Sequence, residues 1–199
     1  MRPETEEAIE SALGALGRGE VVGIPTETVY GVAVDPFVPG ATDRLFSAKR
    51  RPDSAALPVL VAEAEQAGRL GLVEERAAAL VERFWPGPLT IVLRRRAGLS
   101  LRLGGDETTI GLRCPDQPVA RSLLARSGPL AVTSANLHGE PPLRTAASLR
   151  EVLGAALSVV VDAGPCEGLP STVVSLIGES PTILRQGGID LEEILAAIG

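Results

Sequence analysis

The chain is poor in the residues that most catalytic and recognition chemistry relies on. It has one histidine, His138, one lysine, Lys49, and two cysteines, Cys114 and Cys166. Aromatic residues make up only 3% of it, so the core has to be built from Val, Leu, Ile and Ala. His138 follows Ser134 in a Gly/Pro loop with nothing that marks a nucleophile elbow, which argues against a Ser-His-Asp hydrolase. The cysteines stand far apart in no metal-type spacing, and there is no HExxH and no His/Cys cluster, so a tight zinc site is not expected. They read as reduced structural thiols. A GxxxxGK[ST] loop and a GxGxxG turn after a strand are both missing, which removes the two common nucleotide cradles. No apolar run approaches the roughly 18 residues of a membrane span. The start, Met1 to Glu7, is acidic and lacks the apolar stretch of a secretory signal. A cytoplasmic protein without membrane attachment is the expectation. Basic residues are also in deficit: the formal net charge is −6, which weighs against a general nucleic-acid binder but leaves room for a local anion pocket.

What is present suits a globular α/β chain. Of 199 residues, 45% are apolar, enough for a sizeable core, and 22 glycines and 16 prolines supply many tight turns. With no repeat, low-complexity stretch or convincing linker, one domain over residues 1–199 is expected. Apolar periodicity predicts helices at Thr5–Arg18, Ala41–Lys49, Glu63–Leu70, Glu74–Phe84, Pro118–Arg126, Ala146–Leu153 and Leu191–Ile198, the last capped by Asp190. Short apolar runs predict strands at Glu20–Ile24, Leu57–Val61, Leu89–Leu93, Thr108–Arg113, Leu130–Thr133, Ser158–Asp162, Ser171–Leu176 and Pro181–Arg185. Roughly seven strands interleaved with helices imply a large, mixed, twisted sheet.

Polar groups gather where those elements end. Pro25-Thr26-Glu27-Thr28 follows an apolar strand directly, a place where open α/β sheets bind ligands; an ordinary turn with threonines bonded to the backbone is the plainer reading. Thr133-Ser134-Ala135-Asn136 repeats the pattern, with a capping loop as its plainer reading. Arg113 ends a strand just ahead of Pro115, facing a cleft. Arg94-Arg95-Arg96 reads as solvent-facing charge. The oddest stretch is Ala48-Lys49-Arg50-Arg51-Pro52-Asp53. Its lysine is the single one among 19 basic residues, and an ammonium is not interchangeable with a guanidinium on phosphate. A solvated cluster at a helix C-terminus would look similar. Together these anion binders and hydroxyls suit a site that positions charge without a protein nucleophile, as phosphoryl or nucleotidyl transfer requires.

Six segments in order carry a resemblance: Pro25-Thr26-Glu27-Thr28-Val29-Tyr30-Gly31, Lys49-x-Arg51-Pro52, Leu112-Arg113-x-Pro115, Thr133-Ser134-Ala135-Asn136, Pro170-Ser171-Thr172-Val173 and Ile183-Leu184-Arg185. Over about Gly19 to Gly188 the chain resembles YrdC-like threonylcarbamoyl-AMP synthases, in a short, single-domain form. The resemblance implies a large twisted mixed sheet flanked by helices, with a concave substrate cleft. It implies that L-threonine, bicarbonate and ATP give threonylcarbamoyl-AMP and pyrophosphate, which threonylcarbamoyl-transferase proteins then use to modify tRNA. By resemblance Lys49, Arg51, Ser134 and Asn136 do the catalytic work and, with Thr109, Thr133 and Arg185, bind ATP. Thr26, Arg113, Ser171 and Thr172 hold threonine. Mg²⁺ comes with ATP rather than in a protein cage, and tRNA contact is weak or indirect. The family's His after the KxR motif is missing here, where Ala55, Ala56 and Leu60 stand, and Gln117 replaces another. A non-catalytic RNA-binding paralogue of the same fold, and a carbamoyl-phosphate-using relative, are the competing readings. Within the basic stretch, Lys49 and Arg51 are expected toward the phosphates and Arg50 away from them. The loop Ala163–Pro170 is the candidate lid.

Overall fold

The computed structural model describes residues 3–50, 54–136 and 140–199. Apolar runs and glycine or proline stops give the element order α1 (Pro3–Gly17), β1 (Val22–Ile24), β2 (Gly31–Val34), α2 (Ala41–Lys49), β3 (Val59–Leu60), α3 (Ala64–Leu70), α4 (Glu75–Phe84), β4 (Leu89–Arg94), β5 (Thr109–Arg113), α5 (Pro118–Ser127), β6 (Leu130–Ser134), α6 (Ala146–Leu153), β7 (Val159–Val160), β8 (Thr172–Ser175), β9 (Thr182–Arg185) and α7 (Leu191–Ile198). Among the described residues nine strands form one sheet, in the order β7-β1-β2-β6-β3-β5-β4-β8-β9. The sequence runs, read as roughly seven strands, cover eight of the nine; the ninth, Gly31–Val34, continues the motif before it and with four residues is too short to show an alternation of its own. It pairs antiparallel with both β1 and β6. Parallel pairs (β1 with β7, β3 with β5, β4 with β8) and antiparallel pairs mix, as expected.

Strand alternation sorts the side chains onto two faces with different fates. On one face Val32, Val34, Val59, Leu89, Ile91, Leu93, Ile110, Leu112, Ala131 and Val174 meet α2, α3, α4, α6 and α7 in the larger core. On the other, Val22, Ile24, Ala33, Leu60, Leu130 and Val132 meet α1 through Ile9, Ala12 and Leu16, and α5 through Leu123 and Leu124. That second core takes residues from β1, β2, β3 and β6, and none from β4, β5, β8 or β9. Two helices therefore cover half of this face. The other half stays open, and there Thr90, Val92, Thr109, Gly111, Arg113 and Val173 line a cavity.

Local chemistry accounts for the boundaries. Gln117 caps α5 by accepting from the N–H groups of Val119 and Ala120, with Pro118 at the first helical position. Asp190 caps α7 in a box with Glu193, as its sequence position suggested. The helix α2 ends at Arg50, which takes the left-handed conformation at φ 47. No helix among the described residues is long and apolar enough to cross a membrane.

Candidate active site

The open half of the sheet is the floor of a cavity of about 540 Å³, in the size range of small-molecule sites. Thr109, Gly111 and Arg113 of β5 reach it by alternation, as do Thr90 and Val92 of β4 and Val173 of β8. Thr26 and Thr28 close one end, Ser134 and Asn136 another, and Ser171 and Arg185 the side toward β9. The rim is apolar in places: Ala56, Leu57, Leu103, Gly104 and Leu184. The Leu57 N–H donates to the Leu103 carbonyl at 2.7 Å, which ties the two rim segments together.

At the first end lies a partly buried ion pair. Arg113, 7% exposed, donates from Nη2 to Glu27 Oε1 at 2.6 Å and from Nε to the Gly87 carbonyl at 3.1 Å. Its Nη2 also donates to Thr28 Oγ1 at 3.3 Å. The Thr26 hydroxyl donates to the Val29 carbonyl at 2.6 Å and lies 2.9 Å from that of Thr28. With the Thr26 proton committed to Val29, Thr28 must donate to Thr26, so hydrogen bonds run in one sense from Arg113 through two hydroxyls to the backbone. The plainer reading of Thr26, a backbone-bonded turn, and its place on the cavity are both realised. Glu27 Oε2 is buried and makes no hydrogen bond among the described residues.

At the side toward β9 Arg185 donates from Nε and Nη2 to the Ser171 carbonyl at 3.1 and 2.8 Å, and from Nη2 to Ser171 Oγ at 2.8 Å. Ser171 Oγ lies 3.2 Å from Thr90 Oγ1, so a polar thread crosses β9, the start of β8, and β4. Asn136 donates from Nδ2 to the Glu140 carbonyl at 2.8 Å. Thr109 lines the cavity while its hydroxyl donates to the Asp106 carbonyl at 3.2 Å.

Several expected residues therefore meet: Thr26, Thr109, Arg113, Thr133, Ser134, Asn136, Ser171 and Arg185 all line one cavity. Thr172 does not. Alternation turns it from Ser171 to the packed face, where it is fully buried. Its hydroxyl donates to the Ile189 carbonyl at 2.7 Å and accepts from the N–H groups of Gly187 and Ile189, so the expected threonine contact is replaced by a structural one. Lys49 is 5% exposed in the last turn of α2 and is not among the described lining residues, whereas Arg50 is exposed. Arg51, Pro52, Asp53 and His138 lie outside the described residues. Of the arginine run, Arg94 and Arg96 are exposed as expected, but Arg95 is partly buried and donates to the carbonyls of Leu99 and Leu101 at 2.6 and 2.8 Å. Sequence reasoning missed Thr90 and Gly111, and read Thr28 as part of its polar segment without a contact of its own. A period of two counted back from Arg113 would have found Gly111; Thr90 needed the neighbouring strand's register.

The candidate lid is anchored at its base. The Tyr30 hydroxyl donates to the Gly164 carbonyl at 2.8 Å, with Asp162 Oδ1 at 3.2 Å, and accepts from the Ala163 N–H at 3.4 Å. Burial pushes its pKa well above the ordinary tyrosine value, so it stays protonated. Gly168 donates its N–H to the Glu27 carbonyl at 3.1 Å, so close that a Cβ there would collide with that oxygen. Burial also raises both thiols, which fits structural cysteines, and Cys114 Sγ lies 3.2 Å from the Ala62 carbonyl.

Known proteins are similar to this chain in sequence and in fold. The family model Sua5_yciO_yrdC, described as telomere recombination, matches residues 14–187. Threonylcarbamoyl-AMP synthase of Bacillus subtilis is 40% identical over 195 residues, covering 96% of this chain and 56% of its own length. That of Photobacterium profundum is 33% identical over 183 residues, covering 90% of this chain and 98% of its own. A structure of Pyrococcus abyssi Sua5 complexed with L-threonine superposes with a TM-score of 0.92 at 36% identity, over 100% of this chain and 59% of that one. The Escherichia coli YciO structure, at 23% identity, shares the fold with a TM-score of 0.87.

Proposed function

From the premise that the chain belongs to the Sua5/YciO/YrdC family, we propose that it is a threonylcarbamoyl-AMP synthase, a nucleotidyltransferase that joins L-threonine, bicarbonate and ATP. The observation that carries this reading is β5, which presents Thr109, Gly111 and Arg113 in a row along one cavity floor. A guanidinium at one end suits an amino-acid carboxylate, and hydroxyls at the other suit a nucleotide.

In chemical terms the threonine nitrogen bonds the carbon of bicarbonate, water leaves, and a carbamate oxygen attacks the α-phosphorus. The bond from that phosphorus to the bridging oxygen breaks, and pyrophosphate departs. The protein's part is to hold two anions in line and to stabilise charge as it develops. Arg113, with Thr26, Thr28 and Ser171, takes the threonine end. Thr109, Thr133, Ser134, Asn136 and Arg185 take the nucleotide end, with Lys49 and Arg51 on the leaving phosphates. The charged side chains among the described lining residues are Arg113 and Arg185, both cationic. That donor set fits Mg²⁺ arriving on the triphosphate.

The test is pyrophosphate release from ATP, with threonine and bicarbonate each left out in turn. Release that needs both supports the synthase. Release indifferent to threonine ends this reading. Transfer of the product to tRNA by partner transferases belongs to the same proposal and is read by adding such a protein.

A further inference from the structure

We propose that Gly111 is a specificity-determining position, whose missing side chain leaves the space in which the threonine-derived carbamate and the α-phosphate meet. The inference rests on the synthase reading and concerns the joining of the two substrates rather than the holding of either.

Three observations carry it. First, Gly111 stands at the centre of the cavity floor. Thr109, Gly111 and Arg113 share one face of β5, and a strand rises about 3.4 Å per residue, so Thr109 and Arg113 lie about 14 Å apart with Gly111 halfway. A ligand held at its nucleotide end by Thr109 and at its amino-acid end by Arg113 passes its junction over this residue.

Second, the fold does not require a glycine there. Its backbone is not in the left-handed region, and the atoms nearest a Cβ would be Thr90 Cγ2 at 3.5 Å and Pro58 Cβ and Val92 Cγ2 at 3.7 Å, ordinary contacts. Gly31, on the same cavity, is different. A Cβ there would press on Val132 Cγ1 at 2.9 Å, so packing alone demands it. Third, a glycine inside a strand is unfavourable for the sheet and marks close approach of a ligand or of other backbone. Here the three nearest atoms are all side-chain carbons at the edges of the site, with no backbone atom among them. What remains is the cavity.

The experiment compares the intact protein with Gly111→Ala and Gly111→Val. It reads threonine-dependent pyrophosphate release, calorimetric binding of threonine alone and of ATP alone, and the thermal midpoint. We expect the alanine variant to melt at or above the parent temperature. Each single-substrate Kd should stay within about threefold, while kcat falls about tenfold in Gly111→Ala and about a hundredfold or more in Gly111→Val, the signature of an interaction felt mainly where the substrates join. Wild-type kcat in Gly111→Val would overturn the proposal. So would a loss explained wholly by weaker binding of one substrate, or a collapsed thermal midpoint in Gly111→Ala. If the parent protein itself releases no pyrophosphate, the synthase reading fails and takes this one with it. A working parent with a working valine variant defeats the Gly111 proposal alone.

Discussion

Arg113 gives the sharpest test of the site, because its three described partners lie on two distant segments: the Gly87 carbonyl on one, Glu27 and Thr28 on the other. A lysine cannot satisfy them together, since it lacks the planar fork. Arg113→Lys is expected to cut kcat/KM for threonine by about a hundredfold, the loss of one or two charge-assisted hydrogen bonds, with the KM for ATP nearly unchanged. Glu27→Gln keeps an oxygen for Nη2 but removes the counter-charge, and a threonine KM raised about tenfold is expected in initial-rate assays. Unchanged threonine kinetics in both variants would place threonine elsewhere. Lys49→Arg is expected to lower pyrophosphate release strongly. Because Lys49 is buried, the larger head should also cost about 1–3 kcal/mol by overpacking, so a thermal melt must accompany the assay.

The elements that hold these residues are short strands, and the loops between them are fixed by single side chains. The Tyr30 hydroxyl joins the end of the Thr26–Tyr30 turn to residues 162–164. Tyr30→Phe leaves the Ala163 N–H and the Gly164 carbonyl unpaired, at a cost of about 1–3 kcal/mol. For a chain this long that is a fall in Tm of about 2–4 °C per kcal/mol. Faster amide exchange at residues 163–168 than at 182–185 would place the effect in this loop. The base of the segment Ala163–Pro170 is held by Tyr30, and Arg144 adds bonds to the carbonyls of Cys166 and Gly168 at 3.2 and 3.3 Å, so any closure of this segment has to hinge beyond Gly168.

For the molecule as a whole, charge decides what it can meet. A net charge of −6 predicts weak tRNA binding, with an affinity that changes little as salt is raised; the steep slope of a protein that neutralises many phosphates would instead favour an RNA-binding role. Charge also sets the acid limit. The Arg18 guanidinium holds the Glu20 carboxyl down to about 2 from an ordinary 4.5. A carboxylate with a lowered folded pKa stabilises the fold above its unfolded value and ceases to as pH falls through the folded one. Stability from this pair should therefore fade from about pH 4.5 to 2 in acid melts, weakly, since Arg18 is exposed, Glu20 is partly so, and solvent screens the pair.

Local order made much of this legible in the chain. The helices α2, α6 and α7 have the bounds that their apolar spacing and stop signals indicate, because each is set by residues within one or two turns of it. Five of the six polar segments supply residues that line the cavity, although hydroxyls at strand ends also bond the backbone, as Thr26 does. Sequence cannot tell which neighbour in Ser171-Thr172 faces the ligand, because that depends on the register of β8 against β4, a contact between distant segments. The same holds for Thr90, which joins the site only through the pairing of β4 with β5, where Val92 stands opposite Gly111, while Gly111 itself follows from the alternation that carries Arg113. The cavity arises from the tertiary arrangement as well: α1 and α5 cover one half of a sheet face and leave the other bare, and no local pattern records how far a helix reaches.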